Sequence, residues 1–539
     1  MEMSVPIAIP EHVWVRHRCF VGLQVESAPM FIPPGIQPKS SRLQRVELAF
    51  LLLVFAMNIY RAITQSITHD EAFAHNLLLH RTWPELFTTF TDNHHVLYTY
   101  LSKLSIQLFG LSELTLRLPS LLGGLLYLLS AFALARRLIL SAWLQFLTVA
   151  LLALDANLLD HMSAARGYGL GLGFLFASLL FMLRAVDKTP ARNAPVSFRC
   201  LFASGAGIGL SAASNLAYVV PGAAFAIALA ASLLYQSAPG TRIPIMRAWL
   251  GWCVFPSLII FIGLAGGPLL KMKLSQFYVG TLSLSAAEDS ILSLSFHRHG
   301  GLGGWLSLLT WDFVFLKVLH IFLLAVLALV GLFILLRLVR PRGNHPLSPG
   351  GEGLSFLGAG MFLTLGLMVA GRLLCGIRYP EARMGLLWTP LITLCALGLV
   401  QSFWNSSLLR RALAYPLLVV CVLILANDLI VLDVSHYENW AFDRSTRHYV
   451  DIIRERHRAE PTAPVRVRAT WLFEPSINFY RERHNLSWME PVPRSKPKGL
   501  YDYYMLLDDD RKLVEKLGLD ELARDNMANS VLAAKAKNP

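Results

Sequence analysis

Long apolar runs separated by short polar segments fill most of the chain between residues 47 and 432. Each run approaches the roughly 20 residues that an α-helix needs to cross the hydrocarbon core of a bilayer. Ser214 and Asn215 are the break between the fifth and sixth runs, so the sequence leaves open whether 201–235 forms two helices. The pattern predicts an α-helical polytopic membrane protein with about eleven transmembrane helices, near residues 47–67, 117–137, 141–159, 168–184, 201–217, 218–235, 247–267, 313–339, 354–374, 384–402 and 411–432.

Basic residues give an independent test of this helix count. Segments on one predicted side carry Arg42 and Arg45, Arg136 and Arg137, Arg184 and Lys188, Arg242 and Arg247, Arg337, Arg340 and Arg342, and Arg410 and Arg411. Because basic loops stay in the cytoplasm, the N-terminus is expected inside and the C-terminus outside, and the first helix is expected to be an uncleaved anchor. The predicted domains are a cytoplasmic segment (1–46), a transmembrane domain (47–432) and an external domain (433–539).

Composition agrees with a membrane protein and does not favour a nucleic-acid-binding or disulfide-rich protein. Apolar residues make up 55% of the chain and charged residues 15%, against about 25% charged in soluble proteins. The net charge of +13 follows largely from the cytoplasmic basic residues and needs no nucleic acid partner. The six cysteines form no CxxC pair and no disulfide framework.

Two external segments are long enough to contribute to a site. The first, 68–116, begins with a T-x-x-E capping box at Thr68 and repeats that start signal at Thr82. It predicts short helices on the membrane surface, the last being VLYTYLSKLSIQLF. The second segment, 268–312, contains Glu288-Asp289 and His297–Gly301, and its sequence fits a mobile lid or a flexible connector equally well.

The tail after residue 432 has a different pattern, typical of a small α/β domain. VRVRATWLF alternates like a strand, LYDYYMLLD resembles a second strand, and DRKLVEKLGLDELARDN has the periodicity of a helix. The last residues, AAKAKNP, are expected to be frayed.

The predicted topology gathers unusual polar residues on the external side. External loops should be poor in arginine, so arginines there indicate an anionic ligand, which the planar guanidinium group binds through two charge-assisted hydrogen bonds. The residues concerned are Asp70, Glu71, Asp92, His94 and His95 in the first segment, Asp160, His161, Arg166 and Tyr168 at the next external turn, and Arg372, Arg378, Tyr379, Glu381 and Arg383 before the tenth helix.

Each of these residues also has a structural interpretation. Glu71 can cap its own helix, and Asp70 can stabilise the helix dipole. Arg166 can pair with Asp160, and Arg372 and Arg383 can simply flank helix ends. His94 and His95 lack an obvious third metal ligand, which favours ordinary surface histidines over a metal site. Arg117 is expected to pair with Glu113 four residues earlier.

Several motifs resemble those of a known family. The first helix is followed by THDEAF and then by TDNHHVLYTYLSKLSIQLFGLSELTLRLPSLLGG. Two further motifs come later in the chain, SAARGYGLGL (163–172) and RYPEARMGLLWTPL (378–391). Together, over about residues 45–435, they resemble the GT-C superfamily of polyprenyl-phosphate-dependent glycosyltransferases. The branch concerned contains family-39-like enzymes, aminoarabinose transferases of lipid A and protein O-mannosyltransferases. The sequence departs from that branch at His95-Val96, where prolines usually stand.

The resemblance implies an enzyme that moves a sugar from a lipid phosphate to an acceptor hydroxyl on the external, periplasmic face of the inner membrane. Asp70 would receive the proton of the acceptor, with Glu71 and Asp92 as further acidic candidates. Donor phosphate would bind at Arg166, Tyr168, Arg378 and Tyr379. His94 and His95 would contact the acceptor or support the site, and a divalent cation is compatible with the carboxylates but not required.

Two other functions remain open at this point. A multi-pass transporter is the main alternative, although transporters often show internal repeats and charged residues at the membrane midplane, and neither is evident here. A non-catalytic member of the family is the second. The sequence does not identify the sugar or the acceptor, which could be a glycan, a lipid or a protein.

Overall fold

The computed structural model describes residues 41–539 of the chain except for 92, 188–195, 274–278, 297–310, 340–348, 405–406, 462–463, 495–499 and 537–539. Asp92 and the His297–Gly301 sequence therefore lie outside the described residues.

The described chain is a bundle of long apolar helices, as the run lengths predicted. Nine helices in the described ranges are long and apolar enough to cross a membrane: Arg42–Thr64, Glu113–Leu138, Gly167–Asp187, Leu216–Gln236, Pro239–Leu269, Val314–Val339, Gly350–Cys375, Ala382–Trp404 and Leu408–Val431. A tenth span is formed if Ala142–Leu154 and Ala156–Ser163, which bend by 54° at Asp155, are counted together. Helix Phe198–Ser214, of 17 residues, occupies the predicted span at 201–217. The predicted multi-pass helical fold is confirmed.

Polar residues explain the two breaks in this helix pattern. Asp155 accepts a hydrogen bond from the backbone N–H of Leu158 at 3.0 Å and so starts a new helix. Asn215 has an extended backbone (φ −158°, ψ 128°), and its side chain accepts from Ala217 N at 2.9 Å. The segment 201–235 is therefore two helices that meet at Asn215.

The first external segment contains the short helices that its start signals predicted. Both capping boxes form, at Thr68 and at Thr82. The helices are His69–Ala74, which continues into a π-helical turn at His75–Leu79, then Trp83–Phe87 and Val96–Phe109.

The second external segment includes a helix, Leu284–Phe296. Just before it, Thr281 forms a two-residue antiparallel bridge with Tyr379, through backbone hydrogen bonds of 3.0 and 3.1 Å. This bridge connects the segment to the turn before the tenth predicted span.

The C-terminal region is a small α/β domain, although its last elements differ from the prediction. A four-stranded sheet has the order β1-β2-β4-β3, with β1 Val467–Ala469, β2 Tyr503–Leu507, β3 Leu519–Asp525 and β4 Ser530–Lys535. Its helices are Thr446–Ala459, Glu474–Arg483 and Lys512–Leu517.

Two details of the tail prediction were wrong. The expected long helix ends at Leu517, because Gly518 adopts a left-handed conformation (φ +57°) and LDELARD then forms β3. The segment expected to fray begins inside β4, a buried strand between β2 and β3. Pairing on both sides outweighs the helix preference of its alanines.

Candidate active site

One carboxylate lies between two guanidinium groups at the end of the bundle where the predicted external turns meet. Asp70 Oδ2 is 2.8 Å from Arg383 Nη2 and 3.6 Å from Arg166 Nη2. The three residues come from the first external segment, the turn before helix Gly167–Asp187 and the turn before helix Trp388–Trp404. The structure therefore brings together residues that are more than 300 positions apart in the chain.

The local sequence around Asp70 determines its position. Thr68 caps the helix, so Asp70 is in the first helical turn, and its side chain is 15% exposed. Burial alone would raise the pKa of Asp70, but the positive charges of Arg166 and Arg383 outweigh it and hold this pKa below its ordinary value. Asp70 is therefore ionised at neutral pH.

Arg166 is almost fully buried, with only part of its hydrogen-bonding capacity used. Its Nη2 donates to Asn93 Oδ1 at 3.0 Å. Its Nε and Nη1 are buried and have no hydrogen-bond partner among the residues that the structure describes. Buried donors without acceptors are uncommon and costly, so they point to a ligand that accepts from them.

Arg383 has a more important position than the sequence suggested. The preceding Ala382 has a positive φ of 47°, an unfavourable conformation for a residue with a side chain. It starts the short 3₁₀ turn Ala382–Gly385, which carries Arg383. Arg383 contacts Asp70, lies within hydrogen-bonding reach of Tyr168 and sits over the ring of Trp440 at 5.2 Å.

The interpretation of Arg383 as a residue that merely flanks a helix end was therefore wrong. The available signal was its place inside the RYPEARMG motif, where Arg378 was preferred.

Tyr168 lies between two buried histidines beside these arginines. Its ring centroid is 5.2 Å from those of His95 and His161. The Nε2 atoms of both histidines are buried without a hydrogen-bond partner in the described parts of the chain. Burial, reinforced by the charges of Arg166 and Arg383, holds the pKa of His95 well below its ordinary value, so His95 is neutral.

His94 is also buried, which corrects the expectation of surface histidines. Its Nδ1 lies 2.9 Å from the carbonyl oxygen of Thr89. Burial lowers the pKa of His94 to about 4, although the bond to Thr89 acts in the opposite direction. His94 is a neutral side chain at physiological pH.

Glu71 is enclosed by structural contacts. It accepts from Arg117 Nε at 2.9 Å and Arg117 Nη2 at 2.7 Å, from Thr68 N at 2.8 Å, and from Ala165 N. These contacts favour the capping interpretation over a catalytic one. The expected pair between Arg117 and Glu113 was wrong: Arg117 pairs with Glu71, and Glu113 pairs with Arg483 and Arg447.

Asp160 also has a different partner from the one considered. It pairs with Arg61, and its Oδ2 accepts from Glu438 N at 3.1 Å. Because Asp160 is engaged there, Arg166 faces Asp70 instead.

Arg378 and Tyr379 lie at the bridge between two external segments. Arg378 is exposed, and its Nη1 donates to the carbonyl of Gly280 at 3.3 Å. Tyr379 is 8% exposed and makes the backbone bridge with Thr281. Their described contacts do not include Asp70, so their part in donor binding stays a prediction.

Arg372 donates to the carbonyl of Gly376 at 3.1 Å, and Glu381 accepts from Met384 N through its backbone at 2.9 Å.

Comparisons with known proteins were made with the whole chain. No protein-family profile and no curated protein sequence matches it. Among solved structures, it is similar to ArnT from Cupriavidus metallidurans in the apo state, with a TM-score of 0.42 and 15% identity over 92% of this chain and 98% of that one. It is similar also to the same ArnT bound to undecaprenyl phosphate, with a TM-score of 0.40 and 14% identity over 92% of this chain and 99% of that one. At 14–15% sequence identity, the similarity concerns the fold alone.

Proposed function

We propose that this protein is a membrane glycosyltransferase, which moves a sugar from a polyprenyl-phosphate donor to an acceptor hydroxyl on the external face of the membrane. The observation that carries the proposal is the contact of Asp70 with both Arg166 and Arg383 at one end of the bundle. A base and two phosphate-binding groups are what such a transfer requires in one place.

The arginines suit the phosphate of the donor. The buried Nε and Nη1 of Arg166 lack hydrogen-bond acceptors within the described chain, and phosphate oxygens would supply them. As the bond between the anomeric carbon and the phosphate oxygen breaks, the phosphate gains negative charge. Guanidinium groups held at that point stabilise the transition state more than the ground state. Tyr168, beside Arg383, is placed to contribute to the same donor site.

Asp70 is proposed to receive the proton of the acceptor hydroxyl as that oxygen attacks the anomeric carbon. In the absence of donor, the two arginines lower the pKa of Asp70, which makes it a weak base. A bound phosphate competes for the same guanidinium groups and adds negative charge nearby, and both effects raise the pKa of Asp70. The base is therefore strengthened by donor binding.

The remaining predicted residues have supporting parts in this proposal. His95 and His94 are neutral and buried beside the site, where they can bind hydroxyl groups of the acceptor or sugar. Glu71 holds the helix that carries Asp70. A divalent cation stays a prediction, although the two guanidinium groups already balance the charge of Asp70. A cytoplasmic N-terminus is proposed from the distribution of basic residues, and the inner membrane from the resemblance of the sequence motifs to the GT-C superfamily.

A transporter is less well supported. The charged cluster lies in the turns at helix ends, whereas transporter sites lie near the bilayer midplane. Solute flux into sealed liposomes that contain the protein but no lipid-linked sugar would favour the transporter instead.

The direct test is sugar transfer by purified protein in lipid, supplied with radiolabelled polyprenyl-phosphate sugars one at a time. Asp70→Asn is expected to fold normally and to lose about 10²–10⁴-fold in transfer rate. Asp509→Asn, at an exposed carboxylate of the C-terminal domain, is the matched control and should keep full activity. Full turnover by Asp70→Asn would remove Asp70 from the mechanism.

A further inference from the structure

A π-helical turn in the first external segment places two histidines side by side. The turn spans His75–Leu79, directly after helix His69–Ala74. Residues five apart in an α-helix point about 140° away from each other, but a turn closed by i→i+5 hydrogen bonds brings them to one face. The ring centroids of His75 and His80 are accordingly 5.0 Å apart.

A carboxylate from the C-terminal domain completes the cluster. Glu482 lies on helix Glu474–Arg483, and its Oε2 is 3.1 Å from Nε2 of His80. One potential ligand atom from each of His75, His80 and Glu482 lies within 4.8 Å of the other two. In tetrahedral zinc sites with metal–ligand distances of about 2.0–2.1 Å, ligand atoms are about 3.4 Å apart. Rotation of the exposed His80 and Glu482 side chains can close the remaining separation.

The neighbouring residue fixes His75 in the form that binds metals. Asn76 Nδ2 donates to the carbonyl of Pro475 at 3.1 Å, so its Oδ1 is the atom that faces His75 Nδ1 at 3.0 Å. An amide oxygen can only accept, and His75 Nδ1 must therefore carry the hydrogen. This leaves the lone pair on Nε2, which is the nitrogen available to a metal.

We propose that His75, His80 and Glu482 bind a divalent transition metal of the Zn²⁺ class, which joins the first external segment to the C-terminal domain. Two imidazoles and one carboxylate suit Zn²⁺, whereas Mg²⁺ and Ca²⁺ prefer oxygen ligands. His80 and Glu482 border an open cavity of about 540 Å³, which leaves room for water at the remaining coordination position.

This site is separate from the proposed sugar-transfer site, since none of its three ligands contacts Asp70, Arg166 or Arg383 in the described structure. The test therefore uses metal binding and stability as readouts, and its outcome is independent of whether the protein transfers sugar.

The experiment uses the full chain, purified in detergent and stripped of metal with a chelator. After dialysis against Zn²⁺ or Co²⁺, the protein is expected to retain one equivalent of metal. The Co²⁺ form should show the visible absorption of Co²⁺ that is coordinated by nitrogen and oxygen ligands. Zn²⁺ should raise the unfolding temperature of the protein. Glu482→Gln and His80→Ala change exposed side chains, so both should fold, and each is expected to weaken metal affinity by at least about tenfold.

His448→Ala is the matched control, because His448 is an exposed histidine of the same domain. Its metal affinity should equal that of the unmodified protein. The proposal is overturned if the unmodified protein retains no metal after dialysis, or if Glu482→Gln and His80→Ala bind metal as tightly as it does.

Discussion

The guanidinium group of Arg383 lies 2.8 Å from the carboxylate of Asp70, and Arg166 approaches the same oxygen at 3.6 Å. Because Asp70 is largely buried, both contacts act in a medium where charges interact more strongly than in water. In the proposed mechanism, the donor phosphate competes with Asp70 for these arginines, and Asp70 becomes an effective base only when donor is bound.

Removal of Arg383 should reveal its part in the transfer. Arg383→Ala is expected to lower kcat/KM for the lipid donor by about 10²–10³-fold, since it removes a positive charge positioned for the leaving phosphate. Arg383→Lys keeps the charge but loses the planar fork, so its activity should be intermediate. The measurement is steady-state transfer with a polyprenyl-phosphate sugar.

Arg378→Ala is the comparison variant, because Arg378 belongs to the same motif but is exposed and bonded to the carbonyl of Gly280. Its loss should be smaller than that of Arg383→Ala. Equal losses in the two variants would give Arg378 an equal part in donor binding, and unchanged kinetics in Arg383→Ala would exclude Arg383 from it.

The sequence predicted the helices well because their lengths and apolar composition are set by the bilayer. Each predicted span coincides with helical structure, although the span 141–159 is two helices that bend at Asp155. The meeting of Asp70 with Arg166 follows from placing their segments on one side. The two capping boxes were also predictable, since both partners are within one turn.

Long-range partners were harder to predict. The choice between Arg378 and Arg383 depends on the backbone of Ala382, whose positive φ has no signal in an alanine. Glu113 was a possible local partner for Arg117. In the folded protein, however, Arg117 pairs with the buried Glu71, which accepts hydrogen bonds from its Nε and Nη2. Likewise, strand β4 contains alanines that favour a helix in isolation and form a strand when paired on both sides.

The buried pair of Glu71 and Arg117 should be a major determinant of stability. Glu71→Gln is expected to cost about 3–5 kcal/mol, because it leaves the guanidinium of Arg117 buried without a counter-charge. Thermal unfolding in detergent would measure the loss. Glu85→Gln changes the equivalent residue of the second, exposed capping box, so it should have little effect. Similar unfolding temperatures for the two variants would contradict the structural role assigned to Glu71.

A close backbone approach at Gly167 should make the site sensitive to a single methyl group. A Cβ atom there would lie 2.1 Å from the carbonyl oxygen of Ser214 and 2.7 Å from Cβ of His95. Gly167→Ala is therefore expected to cost about 1–3 kcal/mol or more and to displace His95 and Arg166.

Sugar transfer and thermal unfolding would both detect this change. Gly263→Ala is the control, since a Cβ atom at Gly263 would meet no atom within 4 Å. That variant should keep normal activity and stability. A Gly167→Ala protein with unchanged transfer rate would show that this approach does not position the site.

His436 should make the junction with the C-terminal domain dependent on pH. Its side chain is 1% exposed, with Nδ1 3.5 Å from Asp433 and Nε2 3.4 Å from Glu438. Burial opposes protonation, but the hydrogen bonds and charges of Asp433 and Glu438 outweigh it and raise the pKa of His436 to about 9. His436 is therefore charged at neutral pH.

A histidine whose pKa is higher in the folded state stabilises the protein fully below its unfolded pKa of about 6.5, and the contribution disappears as pH rises through about 9. His436→Gln should consequently lower stability by up to about 3 kcal/mol at pH 6 and by much less at pH 10. Unfolding in detergent, followed by tryptophan fluorescence at several pH values, would give the difference between the two proteins. Other groups titrate equally in the unmodified protein and the variant, so the difference between their unfolding free energies isolates His436. If that difference did not change with pH, His436 would not be charged in the folded protein.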